Sequence, residues 1–375
     1  MRKILSVIGA VALLASCNQE KGYEIQGELT GIPDGTTVYL EKINQESKQL
    51  QAVDSTIVKD NTFVLKGKEE FPDYSFIAFK DIEGRVPFIL ENGKIQLKYY
   101  ADKIEESAAT GTKNNDEFAT FNKKRNEFTK KLVAFRAANQ EAYEKAQAEK
   151  NEAEMEKIFN AYNELAEESN NYVDNYLEEN PQSIVTLVTM NEYTQRGYLG
   201  KEEVLETYNN LNDELKESMI AKSMKNYADQ MADPKVKIGD KAPDFSAKTP
   251  EGTELSLKDA LGKVTIIDFW ASWCGPCRAE NPKVVALYED YHDKGLNIIG
   301  VSLDKEENKW KEAIKKDGLT WYQISNLAYW QDPIAQEYEV KGIPATFILD
   351  ENGVVIAKNL RGKKLREKIS SILDK

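Results

Sequence analysis

Ile267-Asp268-Phe269-Trp270-Ala271-Ser272-Trp273-Cys274-Gly275-Pro276-Cys277 is the stretch on which the fold of this chain turns. Thr265 to Trp270 is a short β-branched and aromatic run interrupted by a single carboxylate, which predicts a buried strand. The two cysteines follow at once, where a helix begins. There the backbone N–H groups and the positive helix end favour the thiolate of Cys274, and Cys277 stands ready to displace a partner from a mixed disulfide. A lone Cys-x-x-Cys also fits half a zinc knuckle or two buried thiols. Zinc asks for about four ligands, and a chain with 3 Cys and 1 His has no second pair to supply them.

Working outward, strand and helix patterns alternate. Glu280 to His292 predicts a helix, Leu296 to Ser302 a second strand and Lys305 to Lys316 a second helix. Ala345 to Asp350 and Val354 to Ile356 flank Glu351-Asn352-Gly353 in a hairpin pattern, and Lys363 to Leu373 closes with a helix. An α/β domain over 234–375 with a central mixed sheet is the expectation. Pro282 should kink the first helix. His292, at its end, fits a capping role better than a catalytic one.

The segment from Ile267 to Cys277 resembles the active-site segment of the thioredoxin superfamily. Gly239-Asp240-Lys241-Ala242-Pro243-Asp244-Phe245 resembles the N-terminal extension of its TlpA/ResA-like extracytoplasmic branch. The resemblance covers roughly residues 236 to 375. It implies that Cys274 attacks, that Cys277 resolves and that the pair cycles as a redox-active disulfide with no other cofactor and no metal. It further implies that Asp268 handles protons, that Trp273 packs beside the site and that Pro344 is a cis-proline set against the dithiol. Ile343 then offers its backbone to an extended substrate, while Gly275 and Pro276 support the active-site turn.

Asp268 also has a reason of its own. In an apolar strand, desolvation raises a carboxyl's pKa and suits it to exchange a proton with Cys277, directly or through water. A strand-end carboxylate with a purely structural role is the rival reading. Trp273 fits buried packing as readily as partner contact. Leu319 to Val340, with Trp321, Tyr322, Trp330 and Tyr338, departs from minimal thioredoxins. It reads as an extra element that either shapes partner choice or fills a local core.

The rest of the chain has other periods. Residues 23–112 carry short β-prone runs, Thr37 to Leu40, Ser55 to Val58, Thr62 to Leu65, Tyr74 to Phe79 and Ile95 to Tyr99, separated by turn residues, which predicts a small antiparallel β domain. Its order resembles a β domain found ahead of thioredoxin-like domains in lipoproteins of the Bacteroidota type. Residues 113–233 change to helical spacing, with stripes at Phe118, Phe121, Phe128, Leu132 and Phe135 and at Met155, Ile158, Phe159, Tyr162 and Leu165. Pro181 marks a boundary and Glu202 to Met231 supplies another helical stretch. Glu141 to Glu154 reads as a solvated helix or arm.

Charge follows these divisions. Residues 113–233 hold 15 basic and 24 acidic side chains and residues 234–375 hold 22 of each. Most of the net charge of -13 is therefore expected to lie in the helical region, away from the two cysteines. An acidic chain is a poor binder of nucleic acid, which demands clustered positive charge. With 41% hydrophobic residues the chain has material for folded cores, and 375 residues predict more than one.

Arg2 and Lys3 precede an apolar run, Ile4 to Ala15, too short to span a bilayer comfortably and laid out as a signal peptide over 1–16. Leu14-Ala15-Ser16-Cys17 resembles the lipobox of bacterial lipoproteins, which implies acylation of Cys17 and a tether over 17–22. The expected activity is thiol-disulfide exchange on exported proteins, most simply as a reductant recharged by an upstream redox protein. The expected place is the cell envelope, lipid-anchored and either periplasm-facing or associated with the outer membrane. A lipid-anchored binding or assembly protein and a thiol peroxidase are the alternatives.

Overall fold

The computed structural model describes residues 22–374 apart from 45, 46 and 48, so Cys17 and the signal segment lie outside the described residues. The described chain falls into two compact units. The first holds the residues up to Lys123 with 182–188 and 211–223, and the second holds 124–181, 189–210 and 224–374.

In the first unit β1 (Tyr23–Thr30), β2 (Thr37–Ile43), β3 (Leu50–Ile57), β4 (Thr62–Gly67), β5 (Asp73–Phe79), β6 (Ile82–Leu90), β7 (Gly93–Tyr100) and β8 (Ala108–Thr110) form two four-stranded sheets. Their orders are β4-β1-β7-β8 and β3-β2-β5-β6. The pairings are antiparallel except for β1 with β7, which run parallel. Strand alternation explains the core: Ile95, Leu97 and Tyr99 of β7 point inward while Gln96 and Lys98 face water. They pack in one cluster with Leu40, Ile77, Phe79 and Phe88 of the other sheet. Gly27 of β1 makes room for an aromatic, since a Cβ there would lie 1.9 Å from the Phe63 ring. β1, β6 and β8 are additions to the strands expected from sequence. Gly27 leaves one inward position of β1 without an apolar side chain, and Gly84 and Pro87 interrupt the alternation of β6.

Helix α1 (Lys113–Ala148) opens with Asn115, which is fully buried. Its side chain stands in for a neighbouring strand. The Ile89 N–H donates to Asn115 Oδ1 at 2.9 Å and Asn115 Nδ2 donates to the Ile89 carbonyl at 2.7 Å.

Helix α2 (Glu152–Glu179) follows α1 after a turn made by Lys150, at φ 53°, and capped by Asn151, whose side chain accepts from the Glu154 N–H at 3.2 Å. The solvated helix or arm expected over 141–154 is thus divided by this turn, and α1 and α2 form a helical hairpin. Phe135 stacks near Tyr162 and Phe128 near Tyr172, the pairing order of antiparallel helices. Next come α3 (Ile184–Gln195), α4 (Lys201–Asn210), α5 (Asp213–Glu217) and α6 (Met219–Gln230). The helical stretch expected over 202–231 is made of α4, α5 and α6, separated because Asn212 caps α5 by accepting from the Leu215 N–H and Ser218 ends it in extended backbone.

The second unit contains a seven-stranded mixed sheet built from β9 (Ser246–Lys248), β10 (Glu254–Ser256), β11 (Val264–Trp270), β12 (Leu296–Ser302), β13 (Tyr322–Ser325), β14 (Ala345–Asp350) and β15 (Val355–Lys358). The order is β10-β9-β13-β12-β11-β14-β15. β11 runs parallel to β12 and antiparallel to β14, and all seven of its residues are buried. Around the sheet lie α7 (Gly275–Tyr291), α8 (Glu307–Asp317), the short α9 (Pro333–Glu337) and α10 (Gly362–Leu373). This is the thioredoxin-like arrangement expected from sequence. Among the described residues no helix is long and apolar enough to cross a membrane.

Replacing Asn115 by Ala would leave the buried N–H and C=O of Ile89 without their partner, at a cost of about 2–3 kcal/mol. A urea titration should show the transition of the β unit shifted to lower denaturant at unchanged slope; an unmoved midpoint would show that the amide carries no such role.

Candidate active site

β11 ends at Trp270 and the chain turns through Ala271, Ser272 and Trp273 into α7. Asp304, itself buried, holds this turn: the Ser272 N–H and hydroxyl donate to its carboxylate at 2.9 and 2.5 Å, and the Ser302 hydroxyl donates at 2.7 Å. Arg278 braces it from the helix side. Its Nη1 donates to the Ser272 carbonyl at 3.0 Å, and its guanidinium is paired with Asp317, which also accepts from Asn281 Nδ2 at 2.6 Å.

Cys274 is the N-cap of α7, and its Sγ accepts from the Cys277 N–H at 3.2 Å. Gly275 and Pro276 form the first turn, where a proline lacks only an N–H that the helix would leave unpaired. The two cysteines are joined in a disulfide with their Cα atoms 5.3 Å apart, and both are buried.

Behind the disulfide is a small cavity of about 20 Å³, lined by Asp268, Cys277, Glu280, Pro344, Thr346 and Arg361 among others. That is space for about one water. Asp268 projects from β11, whose register sets it opposite Thr346 of β14. Burial pushes its carboxyl up to about 7, opposed by the Arg361 guanidinium and reinforced by the Glu280 carboxylate. The Ile343-Pro344 peptide is cis, and Arg361 donates to the Pro344 carbonyl. Glu280 in turn accepts from the Gly362 N–H at 2.6 Å, fixing the start of α10 beside the cavity.

Trp273 is the exposed part of the site, at 44%. Its ring centroid lies 5.1 Å from that of Tyr329 and 6.2 Å from that of Trp330. The aromatics of the extra element over 319–340 fall into two groups. Trp321 and Tyr338 are buried in the domain core, whereas Tyr329 and Trp330 gather at Trp273. His292 caps α7 and lies within hydrogen-bonding distance of the Leu296 carbonyl, 3.1 Å from Nδ1, remote from the cavity lining.

Two features were missed at the sequence level. Glu280 lies three residues beyond Cys277, hence on the same face of α7, a spacing that was legible. Arg361 lies 84 positions past Cys277 and no local pattern marks it. The expectation that the acidic helical region lies away from the cysteines is corrected. Glu167 of α2 is ion-paired with Lys283 of α7, and Phe159 of α2 packs on Gly275, because the helical hairpin brings α2 back along the sheet domain.

Among known proteins, residues 238–358 match the profile of the AhpC/TSA family, residues 23–118 a domain of unknown function (DUF4369) and residues 1–18 the prokaryotic membrane lipoprotein lipid attachment site. Thiol-disulfide oxidoreductase ResA of Bacillus cereus is 33% identical over 141 residues, 38% of this chain and 79% of the relative. The chain belongs to the ResA-like thiol-disulfide oxidoreductases. Thioredoxin-like protein YneN of Bacillus subtilis is 38% identical over 120 residues, 32% of this chain and 69% of the relative. The solved thioredoxin domain of a thiol-disulfide oxidoreductase from Bacteroides vulgatus matches at 33% identity and a TM-score of 0.35, covering 37% of this chain and 99% of that one.

The position of Asp268 in this oxidoreductase sets a pH dependence. A carboxyl raised from 3.8 to about 7 binds its proton more tightly in the folded state. Its contribution to stability is complete below about pH 4 and is lost as pH rises through 7. Asp268→Asn removes that loss, so its stability advantage should grow between pH 4 and pH 7 and then level, reaching at most about 4 kcal/mol. Thermal unfolding of both proteins across this range checks it; an advantage that does not change with pH contradicts the assignment.

Proposed function

We propose that this enzyme reduces disulfides in exported proteins from a lipid-anchored position in the cell envelope, using the Cys274-Gly275-Pro276-Cys277 dithiol. The observation that carries the reading is the cavity lined by both Cys277 and Asp268, which supports a buried carboxyl as proton acceptor for the resolving thiol. The attachment-site match over 1–18 supports an acylated Cys17 as the anchor.

In the reduced enzyme the Cys274 thiolate attacks a substrate disulfide. One substrate sulfur leaves as a thiolate and a mixed disulfide forms. Asp268 then takes the proton of Cys277, through a water in the cavity, and the Cys277 thiolate attacks Cys274. The second substrate sulfur departs, and the enzyme is left with the Cys274–Cys277 disulfide. Two electrons have passed to the substrate, so an upstream redox protein must return them. Ile343, half-buried beside Pro344, offers its backbone to an extended substrate segment, and the partly exposed Trp273 offers a ring for it to lie against.

The Gly-Pro pair between the cysteines, by its resemblance to reducing thioredoxins, supports the reductive direction. The reduction potential should then fall below about -200 mV, on the thioredoxin side of the range that extends up to about -120 mV for a strong oxidant. Cys277→Ser should accumulate mixed disulfides with envelope proteins, Cys274→Ser should form none, and Asp268→Asn should slow the resolving step by about a hundredfold or more. Absence of both trapped partners and disulfide turnover would overturn the reading. Turnover of hydrogen peroxide in place of disulfides would favour a peroxidase.

A further inference from the structure

Helix α2 carries one stripe, Glu156, Phe159, Asn163, Glu167, Asp174 and Glu178, at spacings of three, four and seven that keep all six on a single face. That face meets three helices of the thioredoxin-like domain. Glu156 pairs with Lys316 of α8, Glu167 with Lys283 of α7 and Glu178 with Lys364 of α10 at 3.1 Å. Asp174 feels the charges of Lys364 and Arg361. The contacts Phe159 to Gly275 and Glu167 to Lys283 advance by eight residues on each helix, so α2 and α7 run side by side in the same direction.

This alignment sets the apolar part of the stripe at the dithiol. The Phe159 ring lies so close to Gly275 that a Cβ there would be 2.5 Å from its Cζ and 3.4 Å from Asn163 Nδ2. Cys274, the residue before that glycine, retains 4% of its exposure. Around the dithiol Trp273 and Pro276 are exposed, and Ile343, which precedes the cis-proline of the cavity lining, is half-buried.

We propose that Phe159 and Asn163 determine substrate specificity by walling off the Gly275 side of the dithiol, so that Cys274 is reached only past Trp273, Pro276 and Ile343. A folded partner presents a broad surface and needs clearance on both flanks. An extended segment needs one open edge, which this geometry leaves. The preferred substrate is therefore a disulfide carried on an unfolded or extended polypeptide, and the ion-paired stripe of α2 holds the wall in place. The inference rests on the exchange reading above for its biological meaning, yet the wall itself can be measured without any exchange reaction.

The test uses the reduced full-length chain and compares alkylation of Cys274 by N-ethylmaleimide and by a maleimide carried on a small folded protein, read by peptide mass and normalised to a free cysteine peptide. The bulky reagent should lag in the unsubstituted protein. In Phe159→Ala it should gain about tenfold relative to the small one. Glu167→Lys/Glu178→Lys, a surface change that leaves the core intact, should produce the same gain, and so should molar salt acting on the unsubstituted protein through screening of the pairs. Equal normalised rates for the two reagents in the unsubstituted protein, or a ratio that neither variant moves, would overturn the proposal. A chain that exchanges disulfides but shows no size discrimination loses the wall alone; one that discriminates but exchanges nothing loses only the exchange reading.

Discussion

Asp268 lies in an interior strand of a seven-stranded sheet, with every residue of that strand buried, and the cost of ionising it there shapes the arrangement around it. A carboxylate in such a place is disfavoured by desolvation far more than any single neighbour compensates. Arg361 supplies a partial counter-charge while the Glu280 carboxylate works in the opposite sense, and the balance leaves the carboxyl near neutral pH. A group poised there can accept a proton in one half of a redox cycle and return it in the other.

The groups that set this balance also hold the site's backbone. Arg361 donates to the Pro344 carbonyl and Glu280 accepts from the Gly362 N–H, so the electrostatic partners of Asp268 are fixed by the segments they position. On the other face of the active-site turn, Asp304 and Arg278 secure Ser272 from two directions. The dithiol is thereby mounted between a hydrogen-bonded turn and a small cavity lined by Asp268, Glu280 and Arg361. Trp273 with its aromatic neighbours and the exposed Pro276 extend the site outward.

What sequence made legible follows the range of the forces involved. β11, α7 and the β14–β15 hairpin were readable because an apolar run, a helix start and an Asn-Gly turn are local signals. Cys274, Cys277 and Asp268 were readable because they sit within ten residues of one another. β1 and β6 were not, since Gly27, Gly84 and Pro87 break their patterns and the strands are held by neighbours that lie far away in sequence. Arg361 escaped for the same reason. On α2 the spacing showed an apolar stripe, but the face that carries Glu156, Glu167 and Glu178 had no signal of its own, because Lys283, Lys316 and Lys364, which pair with it, lie far away in sequence.

The claim on which the rest depends is that Asp268 exchanges its proton near neutral pH beside Cys277. Isotope-edited carboxyl NMR of the oxidised enzyme, with Asp268→Asn to assign the resonance, measures this directly. The account predicts a titration centred near pH 7; a midpoint near 4, the value of an ordinary exposed aspartate, would contradict it.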